Sequence, residues 1–370
     1  MLVLNNDEID QLLTMQDYLD ALEPMFGDMA VGKTVWRPRT DLTFPNPEAG
    51  RTYRFKSMDG VVPRYKIAAI RINSDVVTFL TKFDTRVQVK VPAAQGKYYV
   101  GFVILFDTDT GEPLAMFPDG VLQRMRVGAT NGLGAKYLAR KDAETYGLLG
   151  SGWQAGAQVM AMCAVRPIKL VKVYSPTREN REAFAKEYSE RVGVEIRPME
   201  SAREAIQGSA IVGIATNARD VLVRWKDVEP GMHVTTLLWP NVGTDVYRNA
   251  DIVVTITRPV GRWQPRRGEY INLHDYVLGE EDATTLFGGD PRLDPDSPEY
   301  MDWYSYPTLG DLVNGKGPYP TSDDQVTVFT NNIGLGTQFA AAGARILQRA
   351  RERGVGREFP TEWLLQTVHP

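Results

Sequence analysis

The sequence predicts an α/β protein, with a doubly wound parallel sheet joined to a second α+β domain whose sheet is mostly antiparallel. Three observations carry this. Strand and helix patterns alternate from residue 144 onward, a glycine-rich turn closes the first strand of that series, and residues 50–110 are β-rich and broken by Gly, Pro and Asp. A length of 370 residues suits two domains rather than one core. With 43% hydrophobic and 24% charged residues, no stretch reads as disordered. The net charge of -4 gives no basic field for a nucleic-acid partner. No segment approaches the roughly 20 apolar residues that span a bilayer, and the acidic, amphipathic start lacks the pattern of a signal peptide. A single cysteine, Cys163, excludes an internal disulfide and fits a reducing compartment, so the expected location is the cytoplasm.

In chain order, residues 7–31 read as one helix, with Ile9, Leu12, Leu13, Leu19, Leu22 and Met25 at helical spacing and Asn6 or Asp7 as its cap. TYRFKSMDG, KIAAIRINS, VVTFLTKF, YYVGFVILFDTDTG and EPLAMF then read as strands, with DTDTGEP as a hairpin turn. Helical spacing returns over residues 120–141. ETYGLLG, IKLVKVYS and VEIRPM are strands that each run into a helix, and AIVGIAT, MHVTTLLW and ADIVVTI extend the parallel series. Residues 260–320 break it with Pro, Gly, Asp and the aromatics Trp263, Tyr270, Tyr276, Phe287, Tyr300, Trp303, Tyr304 and Tyr306. That excursion is either a segment packed on its own aromatics or a lid or oligomer contact. From residue 326, VTVFT leads through NNIGLG into the last helix.

Gly150-Ser151-Gly152-Trp153-Gln154-Ala155 fits G-x-G-x-x-G/A, follows a strand and opens a helix. Gly150 permits the tight turn, Gly152 lets the backbone approach a pyrophosphate, and Ala155 lets the helix pack on the strand. The helix N-terminus offers free N–H groups to the phosphates. This is the signature of a Rossmann-type site for a nicotinamide dinucleotide, and Thr216 and Asn217, after AIVGIA, join its candidate contacts. The second strand ends in Tyr174-Ser175-Pro176-Thr177-Arg178, with no carboxylate where the ribose hydroxyls would need one. Ser175, Thr177 and Arg178 suit a 2′-phosphate, so NADP(H) is favoured over NAD(H); alternatively Arg178 merely begins a solvated helix.

Arg39, Arg71 and Arg126 stand out before the turn. Arg71 lies among apolar neighbours, and a buried arginine needs a partner, either a structural carboxylate or a bound one. PRTDL, SMDGVVPRYKIAAIRINSD, VGFVILFDTDTGEPLAMF, RMRVGATNGLGAKYLARKDAETYGLLGSGWQAGAQ, VRPIKLVKVYS, VEPGMHV and GLGTQFAAAGARIL occur in an order that resembles the ornithine cyclodeaminase/mu-crystallin family. The resemblance covers most of the chain outside residues 240–320. It implies that basic residues at positions matching Arg39, Arg71 and Arg126 grip the substrate's carboxylate; the second is typically Lys and is Arg71 here. Arginine keeps the charge but effectively cannot exchange a proton. It also implies residues 1–130 and 325–370 as a substrate-binding domain that forms a homodimer through its sheet, and 131–324 as the NAD(P) domain carrying the 260–320 insertion. His233 falls where the family often has His and is expected to be structural.

One segment departs from the pattern. Cyclodeaminases carry an Asp after the fifth strand that works on the substrate's amino group. Here Leu237-Leu238-Trp239-Pro240-Asn241-Val242-Gly243-Thr244-Asp245 is shorter, and Trp239-Pro240 falls near that place. The expected activity is therefore NAD(P)H-dependent oxidoreduction at a C–N bond, reducing an imino acid or ketimine or oxidising an amino acid. Lys56, Lys66 and Asp245 are the proton-transfer candidates, and Trp239 is a candidate contact for a bulky substrate. The alternatives are a cyclodeaminase-type lyase with bound NAD and a crystallin-like NADP(H)-binding protein. No H-x-x-H, C-x-x-C or G-x-S-x-G pattern points to a metal or acyl transfer.

Overall fold

The computed structural model describes all residues except 47, 49, 83–84, 219, 259–261, 265–268, 272–274, 278–296, 332 and 369–370; at 82, 85–86, 262–264, 269–271 and 275–277 it describes backbone alone. The side chains of Trp263, Tyr270 and Tyr276, and all of His274, Phe287 and His369, thus lie outside the described residues.

The first sheet is mixed. Its early strands are β1 (Leu2–Val3), β2 (Val35–Trp36), β3 (Thr40–Pro45), β4 (Arg51–Val62), β5 (Ile67–Lys82), β6 (Thr85–Val91), β7 (Val100–Asp107) and β8 (Pro113–Pro118). The second is a seven-stranded sheet, parallel throughout, made of β9 (Thr145–Leu149), β10 (Leu170–Tyr174), β11 (Glu195–Pro198), β12 (Ile211–Ile214), β13 (His233–Thr236), β14 (Ile252–Thr255) and β18 (Thr327–Thr330). Its order is β11-β10-β9-β12-β13-β18-β14. Between the last two in sequence, β15 (Arg262–Gln264) and β16 (Glu269–Ile271) form a ribbon, and β17 (Asp275–Val277) joins the free edge of β3 in parallel. At the far edge β19 (Arg357–Glu358) pairs β1.

The expected fold class holds, with two differences of detail. The N-terminal helix is two: α1 (Asn6–Leu12), capped by Asn5, and α2 (Met15–Ala30), capped by Thr14. Both begin with a reciprocal capping box, Asn5 with Glu8 and Thr14 with Asp17, and each box fixes a separate start. Second, β18 lies inside the parallel sheet between β13 and β14, although residues from 325 onward were expected in the other domain. Its uniformly buried TVFT is what a strand covered on both faces requires. In the aromatic excursion, Trp303 is buried in the nucleotide-side core, its ring centroid 4.7 Å from Trp239 and 5.1 Å from Tyr247. This part of the excursion packs.

The helices that bind the sheets together are α3 (Gly120–Leu138), α4 (Trp153–Val165), α5 (Arg178–Val192), α6 (Ala202–Ile206), α7 (Thr244–Asn249), α8 (Leu309–Val313) and α9 (Gly336–Arg353). Small residues let α3 and α4 approach: a Cβ on Gly128 would stand 2.5 Å from the Ala157 carbonyl oxygen. The start of α9 presses on the inner face of β4. A Cβ on Gly60 would lie 2.4 Å from the Thr337 nitrogen, and one on Gly336 would lie 2.0 Å from the Asp59 carbonyl carbon. Gly336→Ala therefore forces backbone from backbone. We expect it to lower unfolding free energy by about 1–3 kcal/mol or more, read from denaturant midpoints; an unchanged midpoint would show that this contact does not exist.

Candidate active site

Strand order reverses between β9 and β12, and in such sheets ligands bind in the crevice beyond the carboxyl ends at that point. The glycine turn sits there. Gly150 has φ +122°, and a Cβ on it would stand 2.2 Å from the Ala215 carbonyl oxygen, so the turn closes only with glycine. A Cβ on Gly152 would meet nothing within 4 Å, which leaves backbone open to the crevice at the start of α4. Ala155 is fully buried against the sheet side. The Ser151 and Ser175 hydroxyls lie 2.8 Å apart, bridging the ends of β9 and β10. Thr177 precedes α5, the Thr216 hydroxyl accepts from the Ala218 N–H at 3.1 Å, and Asn217 is exposed. Arg178 is exposed and donates to Glu182 at 2.7 Å. Trp153 projects into solvent with the Arg124 guanidinium 4.0 Å from its ring centre, and the Gln154 side-chain oxygen is buried without a hydrogen-bond partner.

The second cluster grows from strand alternation. In β4, Arg54, Lys56, Met58 and Gly60 share a face; in β5, Arg71, Asn73 and Asp75 do. Pairing puts Arg54 opposite Asp75, Lys56 opposite Asn73 and Met58 opposite Arg71, with Asp41 of β3 opposite Lys56. A hydrophobic core would ask for apolar residues here, yet Asp41, Lys56, Arg71, Asn73 and Asp75 are all buried. Each charge is held by another. Arg39 donates to Asp41 at 2.7 and 3.1 Å, and Arg54 also pairs with Asp41. Lys56 donates to Asp75 at 2.8 Å, and Lys90 reaches the other oxygen of Asp75 at 2.7 Å. Arg71 grips Asp119, at the start of α3, with contacts of 2.6 and 2.7 Å. Gly101 makes room for this pair, since a Cβ there would fall 2.4 Å from the Asp119 carboxylate.

Arg126 differs from its neighbours. Its guanidinium is buried and donates to the neutral Gln338 side chain at 2.8 Å, over the Phe339 ring at 5.1 Å. Burial, and then the nearby Arg71, pulls its pKa down to about 9. Gln338 positions it: the same amide oxygen accepts from the Leu335 N–H at 3.0 Å, and its nitrogen donates to Thr130 at 2.7 Å. Burial likewise lowers Lys56 to about 8, against the attraction of Asp75 and with help from Arg54 and Arg39.

The structure thus brings Arg39, Lys56, Arg71 and Arg126 to one place and leaves others elsewhere. Lys66 caps the β4–β5 turn with φ 53°, exposed and paired with Asp109. Asp245 accepts from the Trp225 N–H at 3.0 Å and the Val246 N–H at 3.1 Å, tying down α7 rather than meeting the cluster. Trp239 belongs to the aromatic core around Trp303. His233 is buried with Nδ1 2.8 Å from the Thr327 hydroxyl, and burial drops its pKa to about 3, so it stays neutral as a structural group. Sequence reasoning missed Asp41, Asp75, Lys90, Asp119 and Gln338. The parity of charged residues on the two long strands was the available signal for Asp75; Gln338 carries none. Among the described residues no group of acidic, His or Cys side chains could hold a metal.

The open ground over Gly152 yields a separable outcome. Gly152 has φ -88°, which any residue adopts. Gly152→Val should cost the free protein only about 1 kcal/mol of unfolding free energy, through a poorer helix cap, while abolishing the thermal stabilisation produced by NADH or NADPH. Retained stabilisation would remove this turn from the cofactor site.

Comparison with known proteins places the chain among relatives of the same fold. A Delta(1)-pyrroline-2-carboxylate reductase of Bacillus cereus is 26% identical over 364 residues, covering 96% of this chain and 98% of the relative. Alanine dehydrogenase of Archaeoglobus fulgidus is 24% identical over 363 residues, covering 96% and 97%. The structure of Thermococcus litoralis Delta(1)-pyrroline-2-carboxylate reductase in complex with NADH and L-proline superposes with a TM-score of 0.74 at 24% identity, covering 97% of this chain and 100% of that one. The profile of the ornithine cyclodeaminase/mu-crystallin family matches residues 1–354, and the chain belongs to that family.

Proposed function

We propose that this chain is an NAD(P)H-dependent oxidoreductase that reduces the C=N bond of an imino acid, or oxidises the amino acid in reverse. The observation that carries the reading is Arg126: a buried cation with a neutral partner, beside Arg71 and on a helix packed against the glycine-turn helix. A buried charge calls for an opposite one, and a substrate carboxylate supplies it. The names of the relatives above, a pyrroline-carboxylate reductase and an alanine dehydrogenase, support the same chemistry.

When bound, the dinucleotide supplies or accepts the hydride at the substrate carbon. The protein does the rest. Arg126 and Arg71, with Arg39 at the rim, hold the carboxylate so that the neighbouring carbon faces the crevice. Asp119 and Gln338 fix the two guanidinium groups. Lys56 gives the proton that the nitrogen takes up, and Arg71 cannot. Cyclisation with loss of ammonia is not favoured, because Asp245 is engaged by backbone N–H groups. Residues 1–130 with β17 and α9 form the substrate side, and the seven-stranded parallel sheet with its flanking helices the nucleotide side. The outward residues Leu42, Phe44 and Leu80 are exposed on the back of the first sheet and offer a face for a homodimer. The lone thiol, Cys163, fits the cytoplasm.

For the cofactor, NADP(H) is the preferred reading: Ser175, Thr177 and Arg178, after β10, offer hydroxyls and a guanidinium that suit a 2′-phosphate, and Arg178 can exchange its exposed bond to Glu182 for it. Arg178→Ala should weaken NADPH more than NADH in binding titrations; equal losses would reject the 2′-phosphate contact.

Turnover should appear as loss of absorbance of the reduced cofactor with a cyclic imino acid, or with a 2-oxo acid plus ammonia. Arg126→Ala should lower kcat/KM about 10²-fold or more with cofactor affinity retained, and normal turnover would reject the site. As a donor Lys56 must be protonated, so reduction should fall as pH rises through about 8. Lys56→Gln should remove that limb; an unchanged profile would pass the proton to another group.

A further inference from the structure

Away from the catalytic cluster, α2 and α9 meet over a gap. The space between packed helices is usually filled by side chains. Here Ala21 of α2 and Ala341 and Ala344 of α9 line a cavity of about 370 Å³, within the range of about 300–1,000 Å³ typical of small-molecule sites. Tyr65, in the turn between β4 and β5, makes one wall. Its hydroxyl donates to the Ala21 carbonyl at 2.8 Å, which fixes the ring across the gap. Ala341, Ala344, Arg345 and Gln348 follow the i, i+3, i+4, i+7 spacing of one helix stripe, so a single face of α9 gives both the apolar floor and part of a polar rim.

The rim carries charges of both signs. Asp20 is exposed, and its Oδ1 accepts from the neutral Gln16 amide at 2.7 Å. Among the described residues it has no ion pair. Arg345 donates to the neutral Gln348 side chain at 2.8 Å and reaches Asp17 only at 3.4 Å, on an oxygen that Arg349 shares at 3.4 Å. A free carboxylate oxygen on α2 and a loosely held guanidinium on α9 thus stand beside one apolar floor. A small molecule bearing both charges would satisfy both, whereas a simple anion or cation would satisfy one and meet repulsion from the other.

We infer that this cavity is a second site, for a free α-amino acid with an apolar side chain. Asp20 takes its ammonium, Arg345 its carboxylate, and its side chain lies over Ala341 and Ala344 against the Tyr65 ring. The inference does not rest on the oxidoreductase reading, since the cavity shares no residue with the catalytic cluster. The two are joined by α9 alone, whose first turn holds Arg126 through Gln338 and whose middle lines the cavity.

Calorimetric titration with L-leucine tests it. In Arg126→Ala, where the carboxylate grip of the catalytic cluster is gone, L-leucine should still bind. Isocaproate lacks only the amino group of leucine and isoamylamine only its carboxylate, and each should bind at least about tenfold more weakly. Adding Arg345→Gln or Asp20→Asn to the Arg126→Ala protein should weaken leucine by about tenfold or more, with unfolding midpoints confirming that each variant folds; Arg349 still holds Asp17 when Arg345 is replaced. Absence of leucine binding in Arg126→Ala, equal affinities for leucine and its two truncated analogues, or binding that survives both rim substitutions would each overturn the inference.

Discussion

The guanidinium of Arg126 lies inside the protein without a carboxylate of its own, and much of the architecture holds it in that state. A buried ion is costly unless it is paired and hydrogen-bonded. Gln338 gives it a hydrogen bond but no charge, and Asp119, the carboxylate among its charged neighbours, is already bound to Arg71. The site is thus preorganised for an anion rather than satisfied without one. The cost is carried by the packing of α3 against α4, where Gly128 and Gly132 bring the helices close enough to exclude water.

That packing also couples two recognitions. Arg126 is on α3, and the glycine turn opens α4. Because the two helices meet through small residues and backbone, the distance between carboxylate grip and cofactor cradle is set by rigid elements, not by loops. The segment after β18 adds a second tie. Asn331 donates to the Val127 carbonyl at 3.4 Å, and a Cβ on Gly334 would stand 2.9 Å from the Arg126 guanidinium. Gln338 then completes the hold from the first turn of α9. One short stretch leaves the nucleotide sheet, passes the substrate cation and lands on the substrate sheet.

How much of this was legible depended on the range of the interaction. The glycine turn, the parallel series and the hairpin after β7 are local patterns, and they are where residues 144–175 and 100–118 were expected to put them. Arg39, Arg71 and Arg126 stood out as types and by family resemblance. Their partners did not, because Asp119 before a helix reads as a cap and Gln338 as an ordinary helical residue. Only the β4–β5 register and the return of α9 reveal what these two side chains touch. The break at Leu13-Thr14 was missed although Thr14 and Asp17 spell a capping box, since the apolar spacing runs on across it. The place of β18 was missed for a different reason: adjacency in a parallel sheet is a long-range property, and nothing near residue 327 encodes its neighbours.

The position of β18 has a consequence for how the chain matures. It sits between β13 and β14, so the nucleotide sheet has an internal gap until residues 327–330 arrive. The first sheet in turn lacks the cover of α9 until residues 336–353 do. During synthesis from the N-terminus, neither half can close its hydrophobic layer while the other waits. Nearly the whole polypeptide must be present before either becomes native, and pairings of such long sequence separation form slowly. The design that fixes carboxylate against cofactor therefore makes the two halves a single late-closing unit, with exposed strand edges during the interval before closure.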